Sequence, residues 1–168
     1  MRICGIDPGL RTTGYAVIEA DGARVKLIEA GVVRPDKSCT LPVRLRQLSL
    51  EIHDVFSEHK PDAIAVEKLY SHYAHPVTAI LMGHARGVIL AAAAQAHIEL
   101  IDISATRIKR LLTGNGHASK VQVQGAVMHV LNLKETPEPP DVADAIAIAL
   151  AGWRMRVRTQ GEAAQRAR

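Results

Sequence analysis

Aromatic side chains are scarce in this chain: Phe, Tyr and Trp together make up 3% of its 168 residues. The core must therefore be filled by Ala, Val, Ile and Leu. Cysteine is nearly missing too. Cys4 and Cys39 form neither a CxxC motif nor another paired ligand spacing, which excludes a disulfide framework and a cysteine zinc site and leaves both as reduced structural residues. No stretch of about 18 apolar residues runs free of charge, and no basic segment followed by an apolar one opens the chain, so neither a membrane span nor a secretion signal is expected. The expected location is the cytoplasm, and the length suits one domain with a single sizeable core.

Charge of one sign is missing locally. The net charge is +4, but five arginines against one glutamate fall in residues 154–168, while residues 1–153 hold 16 basic and 16 acidic residues. The excess is thus assigned to a C-terminal tail. Gly161 among Gln and Ala predicts disorder over residues 159–168, after a single domain over residues 1–158. Inside the balanced body, residues 104–120 contain Arg107, Lys109, Arg110, His117 and Lys120 and no acid. A basic segment set against an acidic cluster is what a metal-dependent enzyme acting on a polyanion requires.

Patterning supplies the elements. Short strands are expected at Arg2–Asp7, Gly14–Glu19 and, after the hairpin signal Asp21-Gly22, Arg24–Val33, as an antiparallel meander. Leu41, Leu45, Leu48, Ile52 and Val55 follow helical steps up to Lys60-Pro61. A strand Ala63–Glu67, a loop Lys68–His75, an Ala-rich helix Pro76–Gln95 and a strand Glu99–Ile103 come next. Ser104–Leu112 reads as a helix, Thr113–Gly116 as a flexible turn, Ser119–Leu131 as a helix with Val123, Val127, Val130 and Leu131 inward, and residues 134–140 as a Pro-rich connector. The order β-β-β-α-β-α-β-α predicts a mixed α/β sheet.

Four carboxylates sit at telling places in that order. Asp7 ends the first strand before the turn signal Pro8-Gly9, and Glu67 ends the strand Ala63-Ile-Ala-Val-Glu67 in the same way. Asp7 also suits the first position of a type I turn, a purely structural role. Asp141 and Asp144 open the last helix three residues apart and share one face. Asp141 after two prolines reads as an N-cap, with Asp144 imitating a capping box at the positive end of the helix dipole. They lie beside the apolar stripe of Val142, Ala145, Ile146, Ala149, Leu150 and Trp153, so capping and chemistry are compatible. Acids from separate elements repel unless cations compensate. Oxygen-only ligation selects Mg²⁺ or Mn²⁺ over zinc, and two such ions roughly 3.5–4 Å apart activate water and stabilise the leaving oxygen in phosphodiester hydrolysis. His72 and His75 form a lone H-x-x-H in a loop, a weak zinc signal.

Taken together, Gly5-Ile6-Asp7-Pro8-Gly9 with Thr13-Gly14-Tyr15, Ala65-Val66-Glu67, Gly83-His84-Ala85-Arg86-Gly87, Lys109, Gly114 through Lys120, and Asp141-Val-Ala-Asp144-Ala-Ile-Ala resemble the RuvC-type Holliday junction resolvases over residues 2 to about 153. The resemblance implies an RNase H-like fold with a mixed five-stranded sheet flanked by helices, a homodimer, and Mg²⁺-dependent paired nicking of four-way DNA junctions in recombination and repair. It implies Asp7, Glu67, Asp141 and Asp144 as catalytic metal ligands for two Mg²⁺ ions, with Mn²⁺ as a substitute. It also implies Lys109 and Lys120 near the scissile phosphate, and a branch-migration motor of the RuvA and RuvB type as partner.

The loop after Glu67 departs from the commoner pattern. Tyr70 stands where many members carry a wedging phenylalanine, followed by His72, Tyr73 and His75 in place of a Lys-Asn stretch. A tyrosine ring still stacks on a base, at ~1–3 kcal/mol, and His84 replaces a more usual glutamine. Lys109 and Arg110 also fit the solvated face of a helix, and Gly114 and Gly116 a turn whose amides approach phosphates or a plain loop. Two other functions share the motifs: another RNase H-like nuclease, cutting RNA–DNA hybrids, and a phosphotransferase of the actin and sugar-kinase type, of which this length supplies one lobe.

Overall fold

Side-chain alternation along β1 (Arg2–Asp7) lays out the molecule. Successive residues of a strand point to opposite faces, so Ile3, Gly5 and Asp7 face one layer of helices while Cys4 and Ile6 face another. The computed structural model describes residues 1–69 and 76–166, with side chains as far as Thr159. β1 pairs antiparallel with β2 (Thr13–Asp21), and β2 antiparallel with β3 (Arg24–Val33). Gly22, at φ +56°, turns the hairpin between them, a conformation that costs glycine nothing. On the other side of β1, β4 (Ala63–Glu67) and then β5 (Glu99–Ile103) add in parallel. The mixed five-stranded sheet has the order β3-β2-β1-β4-β5.

Helices cover both faces. α1 (Leu41–His59) and α2 (Pro76–Gln95) bury Leu48, Ile52, Phe56, Ala85 and Ile89 against Cys4, Ile6, Val17, Ile64 and Val66. α3 (Ala105–Thr113), α4 (Lys120–Leu131) and α5 (Pro140–Arg166) cover the opposite face. From Val142 to Ala151 every residue of α5 except Asp144 is buried. Burial of Ile146, Ile148 and Leu150 alone contributes about 5–9 kcal/mol, comparable to the net stability of a whole domain. The core therefore fixes where α5 lies. Small residues let it lie close: a Cβ on Gly5 would stand 2.3 Å from the Ala145 carbonyl oxygen, and one on Gly14 2.1 Å from that of Asp141.

One expectation needs correction. The segment assigned to a disordered tail continues α5 to Arg166. Ala, Gln, Glu and Arg are strong helix formers and one glycine costs only about 1 kcal/mol, so the composition taken for disorder suits a helix as well. Nor is the arginine excess all solvated tail, because Arg154 donates to the carbonyls of Leu111 and Leu112 at the end of α3 and Arg156 pairs with Glu99 at 3.0 Å. α2 carries both a core face and an exposed one. Val77–Gln95 is long and apolar enough to cross a membrane by length and composition, but Ala85, Ile89, Ala92 and Ala93 are core residues and Arg86 is ion-paired to Asp102. Along α2, Leu81 and Val88 pack against the core, while Val77 and Ile80 are 71% and 60% exposed and His84 and Ala91 lie beside them in solvent.

Candidate active site

Asp7 and Glu67 end neighbouring parallel strands, one residue beyond the Ile6–Val66 pair. Alternation turns both toward the face that α5 covers. Asp7 pairs with Gly14 across β1 and β2, and Gly14 is where the backbone of Asp141 comes down onto the sheet. The turn after Asp7 is tied in place by Thr13, a fully buried hydroxyl that donates to the Gly9 carbonyl at 2.6 Å and accepts from its N–H at 3.2 Å.

The N-cap expected at Asp141 does not form. The helix starts at Pro140, whose missing N–H suits a first turn, and Asp141 lies inside that turn with its charge at the positive end of the dipole. Asp144 makes no capping box either; its Oδ2 accepts from Lys120 Nζ at 2.8 Å. Both carboxylates are thereby released from capping.

A cleft of about 310 Å³ is lined by Asp7, Glu67, Asp144, Lys109 and Lys120 over an apolar floor that includes Ile108, Val123 and Ile148. Asp141 stands outside the lining, yet its charge still reaches Asp7. Burial, then Asp144, Glu67 and Asp141 in that order, push the Asp7 carboxyl up to about 7, against the opposing pull of Lys120. Burial and Asp144 raise Glu67, and Lys109 opposes them. Hydrogen bonding to Asp144 in turn raises Lys120. Among the described residues, no three of the four acids bring ligand atoms within 4.8 Å of one another. Asp7, Glu67 and Asp144 share the cleft as mutually repelling charges, which Lys109 and Lys120 partly offset.

Caps place the two lysines. The Ser104 side chain accepts from Arg107 N–H at the start of α3, and Gly114, at φ +81°, closes its end with an N–H bond to the Arg110 carbonyl. Asn115 Oδ1 accepts from His117 N–H at 2.9 Å, and Ser119 and Gln122 form a reciprocal capping box, so Lys120 is the first residue of α4. The segment expected to be a flexible turn is a capped corner. A Cβ on Gly116 would meet Thr106 at 2.8 Å, so this glycine serves close packing on α3.

Sequence reasoning missed Arg86. From α2 its Nε donates to the Glu67 backbone carbonyl at 3.3 Å and its guanidinium pairs with Asp102 on β5, while Lys68 N–H bonds Ile103 at 2.9 Å. These contacts hold the end of β4, and hence Glu67. One signal was available: a lone arginine in an apolar helix must find partners if it is buried. Tyr70, His72 and His75 lie outside the described residues.

The chain matches the family model "Crossover junction endodeoxyribonuclease RuvC" over residues 3–152. It is 55% identical over 150 residues to a protein of that name from Rhodopirellula baltica, covering 89% of this chain and 84% of the relative. A relative of the same name from Thermosipho melanesiensis is 41% identical over 160 residues, covering 95% and 99%. The solved structure of T. thermophilus RuvC in complex with a Holliday junction substrate superposes with a TM-score of 0.86 at 32% identity, covering 92% of this chain and 96% of that one. The sheet order and helix layers are those of its RNase H-like fold, and the chain belongs to the RuvC family of crossover junction endodeoxyribonucleases.

Proposed function

We propose that the chain is a Mg²⁺-dependent endonuclease that resolves four-way DNA junctions by paired symmetric nicks. The observation that carries this reading is the convergence of Asp7, Glu67 and Asp144 with Lys109 and Lys120 in one open cleft. The donor set fits a hard divalent cation: the acids supply oxygen alone, and burial together with their mutual repulsion pushes the Asp7 carboxyl up to about 7, a penalty that a divalent charge offsets. Asp7, Glu67, Asp141 and Asp144 would hold two Mg²⁺ ions, which supply an activated water and charge stabilisation at the reacting phosphate.

The chain's own groups do the rest. Lys120 and Lys109 offset acid charge in the free enzyme and stand at the cleft to meet the negative charge that grows on a phosphoryl group in the transition state. The apolar floor excludes water from beneath the acids, and Arg86 keeps the end of β4 in place. Tyr70, the residue after Leu69, where the described segment ends, is assigned to stacking on a junction base. Matching the two-fold symmetry of a junction calls for a homodimer, for which the exposed stripe on α2 is the surface on offer. A branch-migration motor of the RuvA and RuvB type is the partner such an enzyme would serve, in the cytoplasm.

The test is incubation with a synthetic four-way junction, a plain duplex and an RNA–DNA hybrid, with and without Mg²⁺. Cutting of the junction alone, dependent on the metal, is expected. Asp7→Asn, Glu67→Gln and Asp144→Asn should each lower single-turnover cutting by at least about a hundredfold while junction binding stays near normal or tightens. Rates within tenfold of wild type for any of them contradict the reading, as does full activity in a chelator.

A further inference from the structure

On the face of the sheet opposite the cleft, Glu29 of β3 and Glu58 and His59 at the end of α1 bring one ligand atom each to within 4.8 Å of one another. His59 is the telling member. Its side chain is 9% exposed, and its Nε2, 3.1 Å from Glu29 Oε2, meets no atom in hydrogen-bonding geometry. A buried nitrogen left unpaired is destabilising, and the Glu29 and Glu58 carboxylates are the ligand groups gathered beside this imidazole. Glu29 is oriented from behind: its Oε1 accepts from the Tyr15 hydroxyl at 2.6 Å. The Tyr15 ring lies against Gly31, where a Cβ would approach it to 2.8–3.0 Å. Burial and Glu29 hold this phenol protonated, which makes it a donor to the carboxylate. The last turn of α1 is equally fixed, because the His59 carbonyl accepts from Arg2 Nη1 at 3.1 Å and Lys60 closes the helix in the left-handed conformation.

We propose that Glu29, Glu58 and His59 form a second metal site, distinct from the nuclease centre, which binds one Zn²⁺ ion and clamps the edge strand β3 to the end of α1. Two carboxylates and a neutral imidazole carry a formal charge that one divalent ion cancels, at a helix C-terminus whose dipole favours cations. An imidazole in the set disfavours Mg²⁺ and Ca²⁺, and zinc outranks Mn²⁺ for such mixed nitrogen and oxygen donors. Three protein ligands leave the fourth tetrahedral position to water. Glu58 is exposed, which gives the ion its entry path and leaves this side chain free to close the last distance.

The test is titration of Zn²⁺ into the full chain in excess Mg²⁺, read by competition with a chromophoric chelator and by X-ray absorption at the zinc edge. One ion per chain, one imidazole with oxygen donors, and a thermal midpoint that rises with free Zn²⁺ are expected. Glu58→Gln, a surface change that spares the core, should weaken binding at least tenfold, and Asp7→Asn should leave it unchanged. His59→Gln should remove the imidazole signature; if that variant fails to fold, Glu29→Gln carries the same expectation of weakened binding. Wild-type affinity in Glu58→Gln, a spectrum without imidazole, or binding lost in Asp7→Asn overturns the site. A thermal midpoint indifferent to zinc also overturns it, leaving His59 and Glu29 as an ion pair only.

Discussion

The carboxyl of Asp7 sits at about 7 in the folded chain against 3.8 ordinarily. Between those values the folded chain holds a proton that the unfolded chain has released, so this group's contribution to stability is fully present below about pH 4 and is lost as pH rises through 7. In a chelator, Asp7→Asn should therefore exceed wild type in thermal midpoint by several degrees at about pH 8, with the difference vanishing toward pH 4. Mg²⁺ should close the gap at the higher pH by raising wild type alone. A difference that ignores both pH and metal would remove Asp7 from a cation site. Lys120 works from the other side of the balance, since it opposes the rise at Asp7 and bonds Asp144. Lys120→Ala should slow single-turnover cutting about 10–100-fold with little change in junction affinity; loss of affinity alone, with a shallower salt dependence, would mark it as an ordinary phosphate contact. The places of the four acids in the fold were legible beforehand, because strand-ending carboxylates and an i, i+3 pair at the start of a helix stand out in one chain. Arg86 was not, because its worth lies in a carbonyl nineteen residues away, and no local pattern encodes that.

Elements were more legible than their junctions. Among the described residues, the five strands and five helices fall on the segments that periodicity and turn signals marked. The ends differ for physical reasons: Pro140 takes the first helical position that Asp141 seemed to mark, and helix-forming residues carry α5 through a segment whose composition also suits disorder. Burial in the core sets α5, and Asp141 and Asp144 follow; the buried strand β4 carries Glu67 one residue past Val66, where Arg86 adds its fork to the Glu67 carbonyl and Asp102. Arg86→Lys keeps the charge and loses the fork. Single-turnover cutting should fall roughly tenfold with junction affinity unchanged, and the Mg²⁺ concentration for half-maximal rate should rise, a shift that a general loss of stability would not produce. Unchanged metal dependence would reduce Arg86 to a structural ion pair.

Sheet order was beyond the sequence, since nothing local says that β4 inserts beside β1 and leaves β5 on the edge. That order puts the cleft on one side of the sheet and α2 on the other. α2 spends one stripe on the core through Ala85, Ile89, Ala92 and Ala93, and presents Val77, Ile80, His84 and Ala91 to solvent. Two large aliphatic side chains 71% and 60% exposed on one stripe, with small residues beyond them, suit a two-fold contact between copies, in which the same patch meets itself. A single cleft cuts one strand, whereas a four-way junction needs two cuts related by its own two-fold axis. Ile80→Glu would set like charges against each other across such an axis. It should convert a dimer to a monomer in sedimentation at micromolar concentration without lowering the thermal midpoint of the fold by more than a few degrees, because the side chain is outside the core. Cutting should then become uncoordinated, with nicked junctions accumulating where wild type releases two duplexes in one binding event. A persistent dimer would move the interface off α2, and a monomeric variant that still makes paired cuts would defeat the dimer mechanism itself.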